Sequence, residues 1–359
     1  MAGPFSSIDG HEQVLYGFDA DSGLRCIIAV HNTVLGPGIG GTRWYPYPDE
    51  AAALTDVLRL ARAMTYKAAA AGLDAGGGKA VIWGEPATDR SEALLRAYGR
   101  MIDSLGGRYV TACDVGTTPR DMALIARETP WVTGGPVEEG GSGDSGVTTA
   151  IGTFAGLRTC ADEIWGSTSL ARRHVAVQGV GKVGRRLVEG LAAEGAKVTV
   201  ADTVEDRAQA CAEHFGAEVV GVEEIHAVDC DVFSPNALGH AITADTVGEL
   251  ACRVVAGAAN NQLADPALGD ALADRGILYA PDYVINAGGL IQLCDELKPS
   301  GFARPRSDAD AERIGERLAE VFRIARTEGL STAAAADRLA ERRIAAIGSV
   351  QRLYRPASR

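Results

Sequence analysis

Aromatic residues make up only 6% of this 359-residue chain, and histidine occurs six times. With no His-rich or Cys-His cluster, a structural zinc is not expected, and no other metal is called for. No apolar run approaches the ~20 residues of a spanning helix. The N-terminus also lacks the basic-then-apolar pattern of a secretion signal. The seven cysteines (26, 113, 160, 211, 230, 252 and 294) are odd in number and never form a Cys-x-x-Cys pair. Scattered in this way, they read as reduced, mostly buried thiols of a cytoplasmic protein. Positive charge is also short: a net charge of −12 argues against nucleic acid and anionic membranes as partners. It leaves room for an anionic small molecule, because lysines set the local field inside a pocket.

Glycine is plentiful, at 44 residues, and the hydrophobic fraction is 46%. With few aromatics, this is the composition of an α/β enzyme rich in tight turns. The length exceeds one ordinary core and implies two domains. Short apolar stretches at 25–30, 79–83 and 109–113 read as strands. Leu54, Val57, Leu58, Ala61 and Met64 have helical spacing, in a helix that feeds directly into Lys67. The glycine-rich segment 134–143 marks the expected boundary. A long helix from Val147 follows, then strands at 174–178, 197–201, 218–221, 230–234, 253–257 and 277–280 with helices between. Strands alternating with helices predict a parallel, doubly wound sheet. Two helical segments, roughly 308–327 and 331–350, close the chain.

Two stretches carry chemistry. In the first, Gly76-Gly77-Gly78-Lys79 follows Lys67 closely. Three glycines leave no side chain to block a ligand's approach to the backbone. Of two neighbouring lysines, the less solvated is pushed toward its neutral form. Such a pair can grip a carboxylate with one amine and move protons with the other. In the second, Gly179-Val180-Gly181-Lys182-Val183-Gly184 lies between the strand 174–178 and a helix. That context brings backbone N–H groups and a helix N-terminus to a pyrophosphate. Asp202 ends the next strand, where a carboxylate accepts from both adenosine ribose hydroxyls and repels a 2′-phosphate. NAD is therefore expected over NADP, with Arg207 nearby as the contrary sign.

Several runs resemble one family. They are Leu35-Gly36-Pro37-Gly38-Ile39-Gly40-Gly41-Thr42-Arg43, Met64-Thr65-Tyr66-Lys67, Gly76-Gly77-Gly78-Lys79 and Thr111-Ala112-Cys113-Asp114-Val115-Gly116-Thr117. Gly257-Ala258-Ala259-Asn260-Asn261-Gln262 and the stretch from Tyr279 to Gly289 continue the series. Together they resemble the glutamate, leucine, phenylalanine and valine dehydrogenases, and most of all the actinobacterial valine enzymes. The resemblance implies two α/β domains around a cleft. The first, 1–134 with about 331–359 packing back, would bind substrate and build a homo-oligomer. The second, 135–330, would be a Rossmann-type NAD domain.

The resemblance also implies roles. Lys67 would hold the substrate carboxylate, and the Gly40 backbone would approach it. Lys79 would be the catalytic lysine and Asp114 the proton shuttle. Asn261 would bridge substrate and nicotinamide ribose, and Thr149 would contact the nicotinamide amide. Gly179, Val180, Gly181, Val183, Gly184 and Asp202 would hold the dinucleotide. The reaction would convert an L-amino acid and NAD to the 2-oxo acid and ammonia. The positions that resemble the side-chain pocket are Ile39, Ala112, Leu290 and Leu293. An apolar lining cannot repay the desolvation of a second carboxylate, so glutamate is disfavoured. The two leucines narrow the pocket toward valine, 2-aminobutyrate, leucine or isoleucine. Phenylalanine or tryptophan is the alternative substrate class. A catalytically silent sensor of NAD or amino acid is the alternative of another kind. Asp121 could rival Asp114, but falls where a helix cap is expected. Ala68 and Asn236 depart from the family's usual residues.

Overall fold

The computed structural model describes residues 8–350, and the chain divides into two compact units. One runs to Asp144 and takes in Leu293–Ala303 and the tail from Ala340; the other comprises Ser145–Gln292 and Arg304–Leu339. The expected division differs in three places. Residues 135–144 and 293–303 belong with the first unit, and 331–339 with the second. The extremes of the expected first domain, 1–7 and 351–359, lie outside the described residues.

The first unit is built on β1 (Gln13–Asp19), β2 (Leu24–Asn32), β3 (Gly38–Tyr45), β4 (Gly76–Trp83) and β5 (Tyr109–Cys113), in the order β1-β2-β4-β3-β5. Here the expectation of a parallel sheet is corrected: β2 runs antiparallel to both β1 and β4, while β3 is parallel to β4 and β5. Helix α1 (Glu50–Ala70) is capped by the Asp49 carboxylate, which accepts from Ala52 N–H. Its Leu54, Val57, Leu58 and Ala61 pack on Ile27, Ala29 and Val81 of one sheet face. The helix Glu92–Asp103 covers the other face, setting Leu95, Tyr98 and Ile102 against Ile28, Trp44 and Ile82. Each such side chain contributes ~1.5–3 kcal/mol of burial free energy. Because side chains alternate along a strand, Lys79 shares the α1 face with Gly77 and Val81, and Arg43 shares it with Ile39 and Gly41.

The second unit holds β6 (His174–Gln178), β7 (Lys197–Ala201), β8 (Glu218–Val219), β9 (Val232–Pro235), β10 (Val254–Val255) and β11 (Leu278–Tyr279). Their order is β11-β10-β9-β6-β7-β8, and every pair is parallel. The chain winds outward in both directions from β6. Between β6 and β9 the order reverses, and ligands of such sheets bind at the strand C-termini of that switch point. The outer strands are shorter than the apolar runs suggested. The helix expected over 308–327 is two, Arg304–Glu312 and Ile314–Glu328, parted at Arg313. Among the described residues no helix is long and apolar enough to cross a membrane.

Candidate active site

The first unit gathers a compact charged cluster at the C-terminal end of β5. Lys79 Nζ lies 2.6 Å from Asp114 Oδ2, and Arg43 Nε donates to the same oxygen at 3.2 Å. Lys79 is only 7% exposed. Burial alone would raise the Asp114 carboxyl, but the charges of Lys79 and Arg43 hold it below its ordinary value. Its folded value therefore lies below its unfolded one. The stability it contributes is present above the unfolded value and is lost as pH falls through the folded one. Lys79 is thus ion-paired with a carboxylate whose same oxygen also takes a second cation, Arg43.

The three glycines before Lys79 do not leave the open approach to the backbone that the sequence predicts. Each faces protein, with no room for a ligand. A Cβ on Gly76 would meet Asn32 O at 2.0 Å, and one on Gly77 would meet Thr65 Oγ1 at 2.1 Å. One on Gly78 would come 2.6 Å from the Tyr109 ring. The glycines let β4 press against α1 and its neighbouring strands, which fixes the height of Lys79. Gly40 and Gly41 behave alike: their Cβ atoms would collide with Gly78 O at 1.8 Å and Cys113 O at 2.4 Å. Tyr109 OH donates to Gly40 O at 2.7 Å.

Lys67 projects from the last turn of α1, two residues beyond Thr65, whose hydroxyl is 2.8 Å from His31 Nδ1. Burial, then the neighbouring His11 and Arg62, pushes the His31 imidazole down to about 4, so the ring is neutral at pH 7. It braces the helix end, in keeping with a structural histidine. Asp121 closes a capping box with Thr118 and pairs with Arg90, away from Asp114's cluster. Ala112 and Leu293 flank Gly134: a Cβ there would meet Leu293 Cδ2 at 3.4 Å and Ala112 Cβ at 4.0 Å. Ile39 and Ala112 are buried on the α1 face. Leu290 falls in the second unit and is likewise buried.

In the second unit the fingerprint forms the turn between β6 and the helix Gly184–Ala193. Gly179 has φ +88°, which favours glycine. A Cβ on Gly184 would strike Gly179 O at 1.9 Å, so only glycine lets the helix start so close to the strand end. Above Gly181 there is open space. Val183 precedes the helix as its N-cap residue. The Asp202 carboxylate accepts from Val180 N–H and Val204 N–H, both at 2.8 Å. It therefore braces the turn, a duty the sequence did not reveal, and of its roughly four acceptor sites two remain for hydroxyls. Beside it lies a cavity of about 650 Å³ lined by Val180, Gly181, Arg185 and Arg207 among others. A bare turn, a free helix start and a carboxylate with spare acceptors fit a dinucleotide.

Asn261 sits at φ +51°, exposed, on a loop held from below. Gln262 Nε2 donates to Gly257 O at 2.7 Å, and Asn286 Nδ2 to Asn260 Oδ1 at 2.8 Å. These two buried amides are positioning residues that sequence reasoning missed. Asn286 was visible within Ile285-Asn286-Ala287-Gly288-Gly289, but nothing local to the sequence tied it to the Asn260 loop. Thr149 lies in the first turn of the helix Gly146–Trp165, where its hydroxyl donates to Ser145 O. The departure at Asn236 has an explanation: its Nδ2 donates to Ser234 O, and its Oδ1 accepts from Ala258 N–H. Among the described residues, no group of three or more His, Cys, Asp or Glu is gathered to hold a metal.

Comparison with known proteins bears on this arrangement. Residues 11–131 match the family profile "Glu/Leu/Phe/Val dehydrogenase, dimerisation domain", and residues 199–355 match "Glutamate/Leucine/Phenylalanine/Valine dehydrogenase". The chain belongs to this family. It is 53% identical over 340 residues to valine dehydrogenase of Streptomyces coelicolor, covering 94% of this chain and 93% of that one. It is 50% identical to leucine dehydrogenase of Geobacillus stearothermophilus, covering 93% and 90%. A solved structure of L-tryptophan dehydrogenase from Nostoc punctiforme superposes with a TM-score of 0.84 at 42% identity, covering 94% and 97%. Family membership makes the chain an amino acid dehydrogenase.

Proposed function

We propose that this enzyme catalyses the NAD-dependent, reversible oxidative deamination of a short or branched aliphatic L-amino acid, with valine preferred. The observation that carries the reading is the buried Lys79–Asp114 pair at 2.6 Å, set beside the Gly40–Gly41 backbone. A bound NAD would supply the acceptor for the hydride of the substrate Cα. Lys67 holds the α-carboxylate as a point charge; the Lys79 ammonium orients the water that attacks the iminium carbon, and the Asp114 carboxylate beside it takes the proton that water gives up. Asp114 receives and returns the proton of the amino nitrogen as the carbinolamine collapses to 2-oxo acid and ammonia. Asn261 and Thr149 orient the nicotinamide end. Gly179, Val180, Gly181, Val183 and Gly184 hold the pyrophosphate, and Asp202 the adenosine ribose. The first unit supplies the substrate and self-association surfaces of a homo-oligomer; the second supplies the dinucleotide surface.

Substrate preference follows from the apolar Ile39, Ala112, Leu290 and Leu293, and from relatives named for valine. The tryptophan-named structural relative keeps an aromatic substrate as the second reading. A panel of L-valine, L-leucine, 2-aminobutyrate, L-phenylalanine, L-tryptophan and L-glutamate, followed by NADH absorbance at alkaline pH, decides between them. Valine is expected to lead and glutamate to fail. An aromatic lead would overturn the pocket reading. Silence across the panel, with NAD still bound, would overturn the activity.

The cofactor reading has its own test. Asp202→Ser removes the ribose acceptor and the brace on Val180 N–H. It is expected to raise KM for NAD about 10-fold or more and to let NADP compete, with Arg207 lining the cavity that Val180 and Gly181 also line. An unchanged NAD-to-NADP preference would remove Asp202 from the cofactor site.

A further inference from the structure

Arg43 lies on β3, two residues beyond Gly41 and on the same face of the sheet. Its guanidinium spans two carboxylates: Nε donates to Asp114 Oδ2 at 3.2 Å and Nη1 to Asp56 Oδ2 at 2.8 Å. Asp56, in the second turn of α1, is itself held. Tyr47 OH donates to its Oδ2 at 2.6 Å, and Arg59 Nη2 to its Oδ1 at 3.1 Å. The side chains of Arg43, Asp56 and Asp114 are 24%, 16% and 22% exposed, so these are not loose surface pairs. Partly desolvated charges are kept only where their partners are fixed with good geometry.

We infer that Arg43 is a positioning residue: braced by Asp56 and Tyr47, it locks the Asp114 carboxylate beside Lys79 and keeps Oδ1 outside both ion pairs, for the substrate nitrogen. The inference rests on the reading of Asp114 as the proton shuttle. Without Arg43 the carboxylate keeps only the Lys79 ammonium, a point charge, and a backbone hydrogen bond from Val115, and is freer to turn about Cβ–Cγ. A second contact, from the rigid fork of an arginine, removes that freedom. Gly41 completes the seat, since a Cβ there would come within 2.9 Å of Asp114 Cβ. The bracing therefore runs from α1 through β3 to the end of β5 and to Lys79 on β4.

The test is steady-state kinetics with L-valine and NAD on the full-length enzyme and five variants. These are Arg43→Gln, Arg43→Lys, Asp56→Asn, Asp114→Asn and the double variant Arg43→Gln/Asp114→Asn, each checked by thermal melt. Arg43→Gln is expected to lower kcat about 10–100-fold, with KM for valine little changed, as for a displaced catalytic group. Lysine has one ammonium and cannot span both carboxylates, so Arg43→Lys recovers only part of the rate. Asp56→Asn lowers kcat in the same direction by less. On an Asp114→Asn background, Arg43→Gln costs little more, because both act through one group. Wild-type turnover by Asp114→Asn would sink the shuttle reading and this inference with it. A crippled Asp114→Asn beside a folded Arg43→Gln of wild-type kcat would overturn the inference alone, leaving Arg43 a staple between strand and helix. Independent, multiplying losses in the double variant would do the same. Should Arg43→Gln fail to fold, unchanged kcat in Asp56→Asn overturns it.

Discussion

Lys79→Ala is expected to lower kcat by about 10³-fold, within the range assigned to a lost general acid or base, while the protein stays folded. Two features make the loss specific. Lys79 is 7% exposed and its ammonium reaches Asp114 at 2.6 Å, so no water-exposed amine can replace it in place. Arg43 remains paired with Asp114 when Lys79 is gone, so the carboxylate keeps a cationic partner. Removing one cation also lets the Asp114 carboxyl drift upward toward its ordinary value, because the Lys79 charge is the leading influence that lowers it. KM for valine is expected to change far less than kcat, because the proposed function assigns the substrate carboxylate to Lys67 and not to Lys79. Rates from NADH absorbance, with a melt as fold control, decide the matter. A folded variant with kcat within about threefold of wild type, far short of a lost acid–base group, would take Lys79 out of the chemistry.

The site was legible in the sequence wherever chemistry and local spacing coincide. Lys79 after its glycines, Asp114 at a strand end and the Gly179–Gly184 turn are all local patterns. The strand–helix alternation likewise gave the order of the second unit's elements, whose strands are all parallel. Partnerships across distant elements were not legible. Arg43, thirteen residues from Asp56 and seventy-one from Asp114, joins them only because β3 lies beside β5 and under α1. The Asp202 brace on Val180 N–H depends on a turn geometry that no residue type announces. The strand β1 was missed because most of its positions are only partly buried or exposed, so its apolar signal is weak. Leu290 and Leu293, three residues apart on one helix, were read as one patch. They fall in different units because the division passes between Gln292 and Leu293.

Gly77→Ala is expected to destabilise the first unit by about 3 kcal/mol or more, at the upper end of overpacking costs. That corresponds to a fall in melting temperature of about 6–12 °C for a unit of this size. A Cβ at Gly77 would lie 2.1 Å from Thr65 Oγ1, 2.2 Å from Thr65 N and 2.5 Å from Ala61 O. Two of those atoms are helix backbone and cannot turn aside, so α1 must retreat from β4. Thr65 also holds His31, and Lys67 lies two residues further along, so the retreat carries Lys67 away from Lys79. Activity should therefore fall even at temperatures where Gly77→Ala remains folded, through KM for the amino acid as well as kcat. Gly248→Ala is the matched control: a Cβ there meets nothing within 4 Å, and its melt should stay close to that of the parent. If Gly77→Ala melts with the parent, the glycines before Lys79 do not hold helix to strand.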